Sequence, residues 1–476
     1  MATYEGFAAM SVGGRWRLGS SGKTAADTDP WNGAVLAEIP LASTGDLDEA
    51  FTAAARAQRD WAAQPPARRA EVMLAAAALM QDRKAEITGW LTRETGAPVG
   101  QAELEWSLAR GGMLRAAAVP HQVAGRIMPS DLTGQESRVY RRPAGVVAVI
   151  SPWRFPLQLA NRSVAPALAA GNAVVLKPAS DTPVAGGLLL ARIYQEAGLP
   201  PGLLSVVIGS GDVIGDAMAR HPLSQVISFC GSAATGRALA RQTGLKRLVL
   251  GFGGPGPLVI LADADLGRAV DAALFGSVVR PGQVCLMASR LVVDRKVYHE
   301  FTERLVTAAG CLRAGDPAAE DTDVGPLINA RQLSLIQDRL ERARAGGARQ
   351  VLGGAPSGPA GLVLPPHVLL ARSDLAAARE ESCGPVITVI RVRDEQDALE
   401  VANDAPDGRP GAVFTGDAER GVHFALRAGA GMTYVNDSPA HDDAGAAFGG
   451  LAARAIEEFT TEHWVSVRHA PRDGPR

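Results

Sequence analysis

The chain has 476 residues, 47% apolar and 21% charged, with 48 basic against 50 acidic side chains. That length exceeds a single core and predicts two or three domains. A formal charge of -2 excludes the basic footprint of a nucleic-acid binder, and the longest apolar stretches break before the ~20 residues a membrane helix needs. Residues 1–10 lack a basic stretch followed by an apolar one, so no signal peptide is expected. Cys230, Cys285, Cys311 and Cys383 show neither metal spacing nor a disulfide framework, which predicts a reducing, cytoplasmic setting.

From Leu47 to about Ile87, apolar and alanine positions such as Phe51, Ala54, Ala55, Trp61, Val72 and Leu74 recur at helical spacing and predict amphipathic helices. Residues 146–150 form a β-branched run ended by Ser151-Pro152, expected to be a buried strand. A helix over 159–169 and a strand over 173–176 follow. A helix over 182–197 is expected to start through Asp181 and Thr182, with Pro183 in its first turn. Residues 203–208 and 226–229 add two strands. Such alternation predicts parallel βαβ units in a doubly wound sheet. A second alternating block contains strands at 258–261, 290–293, 386–390 and 412–414. The Gly/Pro-rich stretch 346–366 is expected at the surface as loop and short strands. Near the end, Trp464, Val465 and Val467 predict an edge strand, which a partner subunit would cover.

Gly209-Ser210-Gly211 and Gly231-Ser232 stand where strands pass into helix-forming sequence. Backbone N–H groups at a helix start favour phosphate, and glycine permits its close approach. Lys177 closes a strand, where its ammonium can reach ribose hydroxyls or a phosphate. Taken singly, each of these features equally fits a packing turn or a solvated lysine.

Several strings occur together in order: PWRFPLQLANRSVAPALAAGNAVVLKPASDTP (152–183), ISFCGSAATGR (227–237), GQVC (282–285), VGPLINARQL (324–333), EESCGP (380–385), AGMTYVND (430–437) and EFTTEHWVSV (458–467). From about Gly13 to Val467 the chain resembles the aldehyde dehydrogenase superfamily, and most of all bacterial benzaldehyde or vanillin dehydrogenases. The resemblance implies an α/β fold with a Rossmann-type cofactor domain over 1–250, carrying a β excursion near 122–143. It further implies an α/β catalytic domain over 251–435 and a C-terminal return with an oligomerisation strand over 436–476. NAD or NADP is the implied cofactor, with Lys177 at the adenosine ribose, Ser232 at the pyrophosphate and Glu381 at the nicotinamide ribose. Ile150, Trp153, Ser180, Gly211, Phe229 and Gly231 would line the same cleft. Ser180 stands where an acidic residue would repel a 2′-phosphate, so both dinucleotides stay open. The implied partners are an aldehyde or acyl substrate and a second copy of the chain in a homodimer.

In that family a thiolate attacks the aldehyde, hydride leaves from the thiohemiacetal, and water hydrolyses the thioester. Cys285, after Gly-Gln-Val, matches the nucleophile, although a free cysteine is also a common core residue. The family's Asn that binds the oxyanion is replaced by Arg154; losing such a donor costs ~10²–10³ in rate. The guanidinium could replace that donor, turn into a salt bridge or fill the substrate tunnel. The family's general-base Glu is replaced by Gly251, and such a base contributes ~10²–10⁴. Cys383 replaces a Phe and Cys230 a Thr; both are expected to be packing residues, and Cys311 has no catalytic context. The stretch Leu451 to Arg454 is shortened relative to the family, which bears on assembly. His221 is expected at the surface. His441, Asp442 and Asp443 either replace the missing base or form a solvated loop, and Trp106 lines either the substrate funnel or the core. Three readings follow: NAD(P)-dependent oxidation of an aromatic aldehyde; thiol-dependent acyl transfer, reduction or non-redox carbonyl chemistry; and a non-catalytic binding or assembly partner.

Overall fold

The computed structural model describes residues 4, 7–252, 256–284, 287–379, 383–404, 411–439 and 456–469. Two hairpins come first, β1 (Met10–Val12) with β2 (Arg15–Arg17) and β3 (Thr24–Thr28) with β4 (Val35–Pro40). Helices α1 (Thr44–Ala62), α2 (Pro66–Asp82), α3 (Lys84–Thr95), α4 (Val99–Ala116) and α5 (Val119–Gln122) follow. Next come β5 (Arg126–Pro129), β6 (Gln135–Pro143), β7 (Val146–Ile150), α6 (Pro156–Ala169), β8 (Ala173–Lys177), α7 (Leu189–Glu196) and β9 (Leu204–Val206). The first half closes with α8 (Asp216–Arg220), β10 (Ser224–Gly231), α9 (Ala233–Ala240) and β11 (Arg247–Phe252). The second half runs through β12 (Pro257–Ile260), α10 (Leu266–Val278), β13 (Arg290–Asp294), α11 (Tyr298–Gly310), α12 (Ala330–Ala345), β14 (Arg349–Leu352) and β15 (His367–Ala371). It ends with β16 (Val386–Val392), α13 (Glu395–Asn403), β17 (Gly411–Phe414), α14 (Ala418–Arg427), β18 (Thr433–Val435) and β19 (Thr460–Arg468).

These strands build three sheets that matter for function. A five-stranded parallel sheet has the order β11-β10-β7-β8-β9. The chain leaves β7 toward β8 and returns on its other side with β10, so the strand order reverses between β7 and β10; ligands of open α/β sheets bind outside the carboxyl ends of the strands at such a point. The second sheet, β14-β15-β16-β13-β12-β17-β18, is parallel except for β14. The third, β19-β6-β5, is antiparallel, and among the described residues one side of β19 has no neighbouring strand.

Apart from Lys177 at the end of β8, strands β7 and β8 are apolar, and both are almost wholly buried, as expected where helices cover both faces of a parallel sheet. Helix α1 starts at a capping box made by Ser43 and Asp46, and its Trp61 indole N–H donates to the Leu168 carbonyl of α6 at 2.7 Å. The second sheet buries alternate residues on its two sides, Leu258, Leu291 and Val389 on one and Val259, Val292 and Ile390 on the other. Among the described residues no helix is long and apolar enough to cross a membrane.

Two expectations need correction. The helix expected over 182–197 begins as a π-turn, Val184–Leu188, preceded by Pro183. Its cap is a distant one: the N–H groups of Val184 and Ala185 donate to the buried Glu94 carboxylate of α3, both at 2.7 Å. Asp181 is exposed and accepts instead from Asn329 Nδ2 at 2.8 Å. His221 is buried, its ring stacked 4.0 Å from that of Phe51 and its Nε2 3.2 Å from Asp48 Oδ1; tertiary packing of α1 against α8 puts it inside. The strand expected around Trp464, Val465 and Val467 is β19, Thr460–Arg468, at the edge of its sheet and preceded by a helical turn over 456–459.

Candidate active site

The carboxyl ends of the five-stranded sheet gather the residues expected at a cofactor. Ile150, the last residue of β7, lies in register with Lys177 on one side and Phe229 on the other. Lys177 is 5% exposed, and its Nζ donates to the Pro178 carbonyl at 3.1 Å. Burial pulls its pKa down to about 8, against the attraction of Asp181. An ammonium offers three donors, so two remain without a partner among the described residues. Ser180 is exposed, with its hydroxyl 3.4 Å from the Gly209 carbonyl, so the turns after β8 and β9 meet.

Gly211 opens a π-turn, Gly211–Gly215, and a Cβ there would meet open space. At Gly231 a Cβ would fall 2.6 Å from the Phe229 ring, so the absent side chain leaves room for that ring. Ser232 caps α9 by accepting from Thr235 N at 3.1 Å. The first N–H groups of such a helix have no acceptor within it, and that suits an anion. Trp153 is half-buried, with the Arg154 guanidinium carbon 5.0 Å from its ring centroid. A buried ammonium with spare donors, a capped helix start and the open turn at Gly211 together fit a phosphorylated ribose ligand. Glu381 lies outside the described residues.

Positive φ angles at non-glycine positions cluster nearby: Phe155 at 43°, Arg280 at 55° and Cys383 at 48°. Backbone held in such sparsely populated regions gathers at active sites and clamps, where the surrounding structure over-determines it. Arg154, half-buried ahead of α6, donates through Nη2 to Cys383 Sγ at 2.7 Å. Two of the positions at which the sequence departs from the family pattern are therefore in contact, and their bond ties the start of α6 to the segment before β16. Cys383 is 8% exposed, buried as expected, but it also serves as Arg154's acceptor, which the sequence did not reveal. Cys230 is the cross-strand register neighbour of Gly251. It packs against an apolar cluster of Phe155, Leu159, Val279 and Val284, joined by Leu108, Phe275 and Met432. This cluster includes the residue just before Cys285.

Trp106 does not join that cluster; its indole N–H donates to the Met80 carbonyl at 2.8 Å and it packs on the larger core. Cys311 is exposed. Cys285 itself, His441, Asp442, Asp443 and the stretch 451–454 lie outside the described residues.

A buried ion pair that no sequence pattern marks lies beside this cluster. Arg280 and Glu105 are 4% and 0% exposed in their side chains, and Arg280 Nη2 pairs with Glu105 Oε2. The other carboxylate oxygen accepts the N–H groups of Leu157 at 2.8 Å and Gln158 at 3.2 Å, the start of α6. Burial pushes the Glu105 carboxyl up and the Arg280 guanidinium down, and each opposes the other's shift by its charge. Nothing in a lone Glu on α4 marks it as the cap of α6; only the crossing of the two helices does.

The family model described as "Aldehyde dehydrogenase family" matches residues 16–466. The chain belongs to the aldehyde dehydrogenase family. Among its relatives is a vanillin dehydrogenase of Corynebacterium glutamicum, 43% identical over 98% of this chain and 100% of that one. A benzaldehyde dehydrogenase [NAD(+)] of Pseudomonas putida is 36% identical over 94% of each. The crystal structure of an NAD-dependent benzaldehyde dehydrogenase from Corynebacterium glutamicum superposes with a TM-score of 0.92 at 42% identity, covering 98% of both chains. That of a Staphylococcus aureus betaine aldehyde dehydrogenase in complex with NAD+ gives 0.94 at 27% identity, covering 98% of this chain and 95% of that one. These matches agree with the α/β fold expected from the sequence.

Proposed function

We propose that this member of the aldehyde dehydrogenase family binds NAD or NADP at the carboxyl ends of β7, β8 and β10 and oxidises an aromatic aldehyde through Cys285, with slow release of the acyl group to water. The observation that carries the reading is Lys177, an almost buried ammonium at the end of β8 with a single carbonyl partner among the described residues. The names of the vanillin and benzaldehyde dehydrogenase relatives support the aromatic substrate and the dinucleotide. The apolar cluster around Phe155 and Val284 supports a flat, hydrophobic substrate.

In this reading the Cys285 thiolate bonds the carbonyl carbon and leaves a thiohemiacetal. Bound in the cleft, the nicotinamide would accept the hydride released from that carbon. What remains on sulfur is a thioester, whose hydrolysis needs a base to take a proton from water. Gly251 cannot do so, and Arg154 is engaged by Cys383. Glycine at position 251 also favours the second reading, transfer of the acyl group to an acceptor other than water. The three sheets would serve as cofactor-binding, catalytic and oligomerisation units. The edge of β19, where Trp464 is 61% exposed, would be covered in a homodimer.

Titration with either nicotinamide cofactor and an aromatic aldehyde tests the proposal, by absorbance of the reduced cofactor and by mass of the Cys285 peptide. A burst near one equivalent of reduced cofactor, with an accumulating acyl adduct, is the expected result. An adduct without reduced cofactor would select non-redox carbonyl chemistry, and the absence of both signals would leave a binding or assembly role.

A further inference from the structure

We infer that Glu105 and Arg280 are positioning residues that set the turn leading to Cys285 against the start of α6. The inference rests on Cys285 being the reactive thiol. A single carboxylate reaches both segments: one oxygen holds the N–H groups of Leu157 and Gln158, and the other pairs with Arg280. Arg280 stands five residues before Cys285 and three residues after Ser277, the penultimate residue of α10 and part of its buried end.

Arg280 is fixed from every side. Its backbone N–H donates to Gln101 Oε1 at 2.6 Å, its Nη1 to Thr95 Oγ1, and its guanidinium carbon lies 4.7 Å from the Phe155 ring centroid. Phe155 follows Arg154 directly, so Arg280 touches the altered oxyanion segment by its face and through Glu105. Arg280, just before Pro281, holds a positive φ, a conformation that persists only where the surroundings impose it. Beyond them, a Cβ on Gly282 would fall 2.1 Å from the Gly384 carbonyl oxygen, so this turn also rests on the segment that carries Cys383. Glu105, Arg280 and these contacts thus join the segments bearing Arg154, Cys285 and Cys383.

A displacement of about 1 Å at a reacting group costs ~10²-fold in rate. The test compares the full-length protein with its Glu105→Gln, Arg280→Lys and Gln101→Ala variants. Readouts are the rate of Cys285 alkylation by iodoacetamide, followed by peptide mass, together with cofactor affinity, kcat and KM for an aromatic aldehyde. Glu105→Gln leaves a buried guanidinium facing an amide; alkylation and kcat should fall about 100-fold while cofactor affinity holds within about two-fold. Arg280→Lys keeps the charge and should recover part of the loss. Gln101→Ala removes one acceptor only, and provides the milder comparison should Glu105→Gln not fold. Alkylation and kcat within about two-fold of wild type in folded variants would overturn the inference. So would an equal loss of cofactor affinity, the mark of general loosening. If the wild type oxidises no aldehyde, the proposed function fails, yet the alkylation contrast still decides the role of the pair.

Discussion

Replacing Lys177 with Met should stabilise the cofactor-free protein and weaken its hold on the dinucleotide. The side chain is 5% exposed, and burial lowers its pKa from 10.5 to about 8. In the unfolded chain the ammonium keeps its proton up to the higher value, whereas the folded protein releases it at the lower one. The unfolded state therefore binds more protons between pH 8 and about 10.5, and stability from this residue rises with pH across that window. Below pH 8 the whole penalty stands, about 3 kcal/mol from the gap between the two values. Met has similar length and no charge, so Lys177→Met should recover up to that amount at pH 7 and nothing near pH 11. The same change removes charge-assisted hydrogen bonds worth about 1.5–3 kcal/mol, which weakens cofactor binding about 10- to 150-fold. Melting midpoints of both proteins from pH 6 to 11, with fluorescence titration of NAD and NADP, make the measurement. A variant less stable than wild type at pH 7, or a difference independent of pH, would refute the reasoning about burial. Unchanged affinity would remove Lys177 from the cofactor site.

The paired change Arg154→Asn with Gly251→Glu should raise water-dependent turnover by at least about 10²-fold, since it supplies a donor and a base of the kind that contribute that much; steady-state release of carboxylic acid is the assay, and no gain would count against aldehyde oxidation. Asp27, buried beside Glu94, has its pKa raised to about 7 by burial, so the folded state keeps a proton that the unfolded state loses from about pH 4. Its stabilising contribution is present below that pH and declines as pH rises toward 7; Asp27→Asn should flatten the fall, read as melting midpoint against pH. Gly282→Ala places a methyl group 2.1 Å from a backbone carbonyl at a φ of 66°. It should cost several-fold or more in Cys285 alkylation and lower the melting temperature, and a silent substitution would show that the turn moves freely.

Much of the cofactor half was legible because its signals are local. The runs at 146–150 and 173–176 fill with β-branched and small apolar residues, and they form β7 and β8 as expected. Gly231 and Ser232 stand at a strand end and a helix cap, where the residue types alone suggest those roles. The start of the helix after Pro183 was misread because its cap comes from Glu94, some ninety residues earlier in the chain, and a local capping signal at Asp181 was the nearer pattern. His221 followed the same logic. A histidine before a proline is usually a surface residue, and only the stacking on Phe51 puts it inside.

The sequence by itself determined the alternation of strands and helices, the glycine turns and the identity of the altered positions, because short-range sterics and hydrophobic period set all of these. The tertiary structure decided that Arg154 bonds Cys383, that Cys230 lies opposite Gly251, and that Glu105 joins α6 to Arg280. Each of those contacts spans residues far apart in the chain. Charge and hydrogen-bonding capacity are properties of single residues, whereas partnership depends on which surfaces the packed layers bring together.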